Sequence, residues 1–236
     1  MSFEVAIGTA IVAYIEPHPG HELEFNRWYE RDHFYAATMA GPGVFAGGRW
    51  VATRACKDVR PSVELFGDPR RGSYLATCWL LPGMQSTWDG WVTEQMKVLA
   101  AEGGRMFAER EHVHTAIYKF AWEHGVNGLY AAVALDRCFD GIVAVAFEGG
   151  HADRAAEWTR AIVGVDVPVV VGLVPERVIM ATAAAEPHLL VLAFCARDPL
   201  AVWKEQIAPA LVDEPVVFAS PFLRTIPGTD TYVDDL

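Results

Sequence analysis

Basic side chains are scarce in this chain of 236 residues: 19 lysines and arginines stand against 30 aspartates and glutamates, a formal net charge of −11. A surface with that balance repels phosphate backbones and anionic headgroups, so neither nucleic acid nor a membrane is an expected partner. Cysteine is sparse too. Cys56, Cys78, Cys138 and Cys195 form no CxxC pair, and three of them sit in apolar runs. They are expected to be reduced, buried packing residues of a cytoplasmic protein. No run approaches the ~18 apolar residues of a membrane helix. The opening MSFEVAIGTAIVAYIEP lacks a basic leader, carries Glu4 in its place, and is read as a strand. Missing as well are a GxSxG nucleophile elbow, a GxGxxG after a strand, and a P-loop lysine in the glycine-rich GPGVFAGG. Hydrolytic and nucleotide-dependent chemistry are disfavoured on that ground, and no cofactor is expected.

What the chain does have is apolar material: 52% of its residues are hydrophobic, ample for a core at this length. EVAIGTAIVAYI is a β-branched run closed by the turn signal EPHPG. From His21 to Met39 the apolar spacing is helical, and GPG stops it. VFAGGRWVATRA and SYLATCWLL are read as paired antiparallel strands joined by a loop of roughly twenty residues. MQSTWDGWVTEQMKVLAAEGG is helical and HVHTAIYKFAW a last strand. The second half repeats the order with DGIVAVAFEGG, HADRAAEWTRAIVG, VPVVVGLVPERVIMAT, HLLVLAFCAR, DPLAVWKEQIAPALV and PVVFASPFLRTI. Asp198 as N-cap and Pro199 at the first helical position mark the start of its second helix.

The expected fold is α+β: two ferredoxin-like βαββαβ repeats, residues 1–125 and 126–236. A four-stranded sheet with helices on one face leaves the other bare, and two such antiparallel sheets can pack face to face as an intramolecular α+β barrel. The consecutive apolar positions of IVAVAF, VPVVVGLV and LLVLAF suit strands buried on both faces.

EFNRWYERDHFYAATMAGPGVFAGGRW, with Phe25, Trp28-Tyr29, His33, Pro42-Gly43 and Arg49, resembles the helix-and-strand signature of the dimeric α+β barrel superfamily. That group includes EthD-like, antibiotic-biosynthesis-monooxygenase-like and stress-responsive barrel proteins. Its members include cofactor-independent monooxygenases, lactone isomerases, polyketide cyclases and haem-degrading enzymes. The resemblance implies a pocket between the sheet and helices of each unit, and leaves the reaction open.

Within that frame His33, four positions after Tyr29, projects near it at the edge of the apolar face. It is the candidate general acid/base, histidine alone titrating unperturbed near neutral pH. Tyr29 or Arg49 would stabilise negative charge on a substrate oxygen; Arg49 has the competing structural reading of a pair with Asp32 or Glu30. Trp28, Phe25, Trp50, His114 and Tyr118 are the candidate lining for a small hydrophobic or aromatic molecule, Phe25 and Trp28 having also the simpler reading of core residues. The charged residues Glu24, Arg27, Glu30 and Arg31 are read as a solvated helix face. His112 and His114, two apart, are placed on one strand face, where they lack a third ligand because Glu123 is too far, so no metal is expected. In the second half, Trp158 matches Trp28 while Thr159 and Val163 stand in for Tyr29 and His33. The first repeat is therefore expected to carry the pocket and the second to be its degenerate structural partner. The expected activity is a cofactor-independent isomerisation, cyclisation or oxygenation. The alternatives are a non-catalytic binding protein for haem, with His114 or His33 as axial ligand, or for another hydrophobic ligand, and a homodimer-forming protein with a closed pocket.

Overall fold

Eight antiparallel strands close into a barrel in this computed structural model, which describes residues 6–61, 67–103, 105–135, 138–149, 151–182 and 188–236. They are β1 (Thr9–Pro17), β2 (Val44–Val51), β3 (Tyr74–Leu80), β4 (Arg110–Gly125), β5 (Gly141–Phe147), β6 (Val169–Ala181), β7 (Leu189–Cys195) and β8 (Val216–Arg224). Around the barrel they run β1-β3-β2-β8-β5-β7-β6-β4. The order β4-β1-β3-β2 therefore recurs as β8-β5-β7-β6, four strands later in the chain. The two curved sheets meet along both edges, through a short seam of Trp50 with Arg224 and Val51 with Leu223, and a long one joining β4 to β6. Residues 4 and 5 of the expected first strand, and 62–66 of the long loop, lie outside the described residues.

The helices are α1 (Glu22–Trp28), α2 (Arg54–Lys57), α3 (Gln85–Ala101), α4 (Ala131–Ala134), α5 (Ala152–Ile162), α6 (Pro199–Val202) and α7 (Ala208–Ala210). Asp198 caps α6 by accepting a hydrogen bond from the Leu200 amide, with Pro199 in the first turn. β2 stops at Val51, short of the expected continuation through ATRA, and α2 begins at Arg54 with the extended Thr53 as its N-cap residue. Of the cysteines, Cys56, Cys78 and Cys195 are buried, whereas Cys138 is exposed on the connection before β5, contrary to the expectation of four packing residues.

The uninterrupted apolar runs have a direct cause. In β1 the residues Ala10, Val12 and Tyr14 point into the barrel, where they join Trp50, Trp79, Tyr118, Phe194, Phe218 and Phe222. Ile11, Ala13 and Ile15 point outward into clusters under the helices. Both faces of β1, β3, β5 and β7 are thus dry, and alternation disappears from the sequence.

One charge sits among these interior side chains. Arg60, from the β2–β3 connection, lies over the rings of Phe218 and Phe222 at 5.4 and 5.6 Å. It donates from Nε to Ser220 Oγ at 2.8 Å, and from its terminal nitrogens to the carbonyls of Pro69, Arg71 and Gly72 at 2.7, 2.6 and 3.1 Å. Burial pulls its pKa down to about 10, so it stays charged at neutral pH. Arg60→Met is expected to strand three carbonyls and cost about 3–5 kcal/mol, the range for breaking a buried charged network. Urea unfolding checks this: Arg60→Lys should recover only part of the loss, since an ammonium cannot reproduce the fork, and a change under about 1 kcal/mol for Arg60→Met would refute the anchoring role.

Candidate functional site

The helix that opens as α1 does not end at Trp28. It continues as two π-helical turns, Tyr29–His33 and Tyr35–Met39, the first closed by the Phe34 amide donating to the Tyr29 carbonyl. A wider turn changes which side chains meet. In an α-helix the neighbours are three and four apart; here Trp28 and His33, five apart, stack at 4.2 Å with 25° between their planes. Tyr29 lies 5.5 Å from the His33 ring. The corresponding helix of the second half, α5, is α-helical throughout. Nothing in the apolar spacing of residues 21–39 signals the π turns, and they are what sets the imidazole.

His33 and Tyr29 form part of the wall of a cavity of about 640 Å³ between β1 and β4 of the barrel on one side, and the π turns after α1 with α3 on the other. Ile11, Ala13, Ala37, Val92, Met96 and Met106 supply apolar walls, and Arg110, His112 and Thr115 enter from β4. Three residues come from β6, in the second half of the chain: Arg177, Ile179 and Met180. Arg177 reaches across to α3 and pairs with Asp89 at 2.6 Å on the cavity wall.

The site is electrostatically one-sided. His33 is only 7% exposed, its Nδ1 is buried, and neither ring nitrogen makes a hydrogen bond among the described residues. Burial, and after it the charge of Arg110, push its pKa down to about 3. His112, which shares a 2.9 Å hydrogen bond with Thr115, is pushed down to about 4 by the same two causes. Both imidazoles are therefore neutral at pH 7. The Tyr29 phenol is raised to about 12 by burial, with Arg49 and Arg110 acting against that rise. Trp88 Nε1 and Arg110 Nε are buried without a hydrogen-bond partner among the described residues, and both residues line the cavity. With His33 Nδ1 they make three buried, unsatisfied nitrogens around one cavity, uncommon enough to call for a reason.

The sequence candidates divide by compartment. Tyr29 and His33 line the cavity. Trp28 stands behind His33, its Nε1 donating to the Arg105 carbonyl at 3.0 Å. Phe25 is fully buried in the cluster beneath, against Trp28, Tyr29, Tyr74 and Phe107. Arg49 lies 4.9 Å from the Tyr29 ring, donating to Asn26 Oδ1 at 3.1 Å with Glu30 at 3.8 Å, and it does not line the cavity. Its expected alternative partner, Asp32, belongs to Arg105 at 2.6 Å. Trp50 and Tyr118 are inside the barrel.

His114 corrects a second expectation. A bulge at Val113 pairs His114 with Tyr14 and His112 with Ile15, so the two imidazoles face opposite sides of β4. His114 stays in the barrel, 3.5 Å from the Tyr118 hydroxyl, while His112 joins the cavity. Among the described residues no group of three His, Cys, Asp or Glu could hold a metal ion. The helix face expected to be solvated is instead partly covered by the C-terminal segment: Arg27 pairs with Asp230 at 2.7 Å, Asn26 donates to the Thr229 carbonyl, and Glu30 accepts from the Gly228 amide.

Arg110 was absent from the sequence candidates. The usable signal is period two: Arg110 and His112 alternate onto one face of β4 just before the bulge. In the second half the equivalent space is packed by Val143, Val145, Trp158, Ile162, Trp203 and Ile207. Trp158 Nε1 donates to the Ala210 carbonyl at 3.0 Å, as Trp28 does to Arg105.

No family model matches this chain, and no curated protein is similar to it in sequence. Among solved structures, it is similar to an anthrone oxidase-like protein with a TM-score of 0.52 at 8% identity, over 94% of this chain and 92% of that one. It is also similar to a protein of Fusobacterium nucleatum subsp. nucleatum, provisionally named a monooxygenase, with a TM-score of 0.47 at 8% identity, over 96% and 95% of the two chains. At such identity the first likeness shows the α+β barrel fold alone. No helix among the described residues is long and apolar enough to cross a membrane.

Proposed function

We propose that this chain is a cofactor-independent enzyme that moves a proton on a small aromatic or apolar molecule held in the cavity of its first half. The observation that carries the reading is a buried, neutral imidazole, His33, facing an apolar cavity with no hydrogen-bond partner among the described residues. An imidazole held far below its ordinary pKa is a weak base alone. It becomes effective when the proton it accepts leaves a negative charge beside it, because the enolate or phenolate oxygen offsets the burial and the Arg110 charge that depress it. The Tyr29 hydroxyl, a neutral donor at any physiological pH on the same cavity wall, would donate to that oxygen. Isomerisation, cyclisation and oxygenation all start from such an anion, and the site's residues support the shared first step.

The same reading treats residues 1–125 and 126–236 as two repeats of one βαββαβ unit of the α+β barrel superfamily, the second serving as built-in partner. The recurring strand order, the matched Trp28 and Trp158, and the filled space under α5 support it. The alternative of a haem protein retains only one of its two axial candidates at the cavity, His33.

β-Tetralone, a bicyclic ketone with an acidic carbon next to its carbonyl, tests the proton chemistry without knowledge of the natural substrate. In D2O the wild-type chain should speed deuterium entry at that carbon, followed by proton NMR, above the buffer rate. Exchange at the buffer rate, across this and similar aromatic ketones, would sink the acid/base reading.

A further inference from the structure

We infer that the cavity recognises an oxyanion through Arg110, so that its ligand is an aromatic molecule bearing a carboxylate or an ionised hydroxyl. This rests on the proposed reading that the cavity takes a small aromatic molecule, and adds the charge that molecule must carry.

Among the described residues Arg110 has no counter-ion. No carboxylate among them lies within ion-pair distance of its guanidinium, although Glu109 and Glu111 flank it in sequence and Asp89 shares its cavity. These and Asp32 are already engaged: Glu109 with His18 at 2.9 Å, Glu111 with Arg71, Asp32 with Arg105 at 2.6 Å, and Asp89 with Arg177 at 2.6 Å. The guanidinium lies over the Trp28 ring at 4.7 Å, which fixes its plane and leaves its N–H edge for a ligand. Its Nε is buried and makes no hydrogen bond.

Two neutral imidazoles, His33 and His112, stand beside it on the same wall. A carboxylate in their place would neutralise Arg110; the chain instead surrounds it with groups that can donate to an anion. In a protein of net charge −11, an arginine at an apolar cavity with no carboxylate partner among the described residues is a local exception. A planar oxyanion can take two parallel hydrogen bonds from it while the aromatic body lies against Met96, Met106 and Ile11.

Two fluorescent dyes that share a skeleton separate charge from shape: anilinonaphthalenesulfonate carries an oxyanion and N-phenylnaphthylamine does not. Wild type should bind both. Arg110→Met should weaken the sulfonate about tenfold or more, as expected for losing a hydrogen-bonded charge, while the neutral dye changes less than about threefold. Arg110→Lys should restore part of the sulfonate affinity, and Ala37→Trp, which fills the cavity, should expel both dyes. Equal weakening of the two dyes by Arg110→Met, or none, overturns the inference, as does sulfonate binding that survives Ala37→Trp. Failure of wild type to bind even the neutral dye would instead remove the aromatic cavity reading beneath it. Naphthoate displacing the bound sulfonate assigns a carboxylate and naphthol an ionised hydroxyl; displacement by neither overturns the assignment.

Discussion

Replacing His33 by alanine is expected to lower enzyme-catalysed deuterium exchange in β-tetralone by about 10²–10⁴, the usual contribution of a positioned general base. Binding of N-phenylnaphthylamine should stay within a few-fold of wild type, because the cavity walls and Trp28 remain. The size of the effect follows from what else could take the proton. His112 is the alternative base on the wall, but it is committed to Thr115 and depressed by burial and then by the same arginine. Asp89 is tied to Arg177, and Asp32 to Arg105. Tyr29→Phe should act differently, slowing exchange by removing a donor to the developing oxyanion while leaving the base in place, a loss of about 10²–10³ if that donor resembles others of its kind. His33→Ala with an unchanged exchange rate would move the chemistry elsewhere, whatever the dye affinities.

The barrel was readable in the sequence because strand burial leaves a pattern. IVAVAF and LLVLAF are apolar at every position since one set of side chains fills the barrel and the next lies under a helix. Tyr29 and His33 were readable as a pair because both a four-residue helical step and a π turn bring them near each other. What was hidden depended on departures from regular geometry. The π turn stacks His33 on Trp28, the bulge at Val113 separates His112 from His114, and the reach of β6 past β7 brings Arg177 and Met180 to a cavity built mainly by the first half. Arg49 differs for a related reason: it does reach the Tyr29 ring, at 4.9 Å, yet it is not among the residues that line the cavity.

The same buried imidazoles should make the fold acid-labile, with a sign that can be worked out. His33, His112 and His114 have folded pKa values of about 3, about 4 and about 4, each lowered first by burial. Unfolded, each returns to about 6.5. Below that pH the unfolded chain binds up to three protons that the native chain refuses, so stability falls as pH falls, and the loss runs from about 6.5 down toward the folded values. Each group contributes about 1.4 kcal/mol per pH unit inside its window, so the three together approach about 4 kcal/mol per unit between pH 6 and 4. Against a total of roughly 5–15 kcal/mol, that suffices to unfold the chain in mild acid. Asp32, lowered chiefly by its bonds from Arg105, adds stability that is present above the ordinary carboxylate range and lost only below it, so it cannot account for a decline that begins near pH 6. Urea melts at pH 7.5, 6 and 5 should show the decline, and His112→Gln should remove about a third of the slope while keeping a partner for Thr115. An anion bound to Arg110 would raise the His33 pKa, so saturating anilinonaphthalenesulfonate should flatten the curve further in wild type but not in Arg110→Met. Stability that holds constant from pH 7.5 to 5 would contradict the neutral, buried state of these rings, and with it the electrostatic premise of the site.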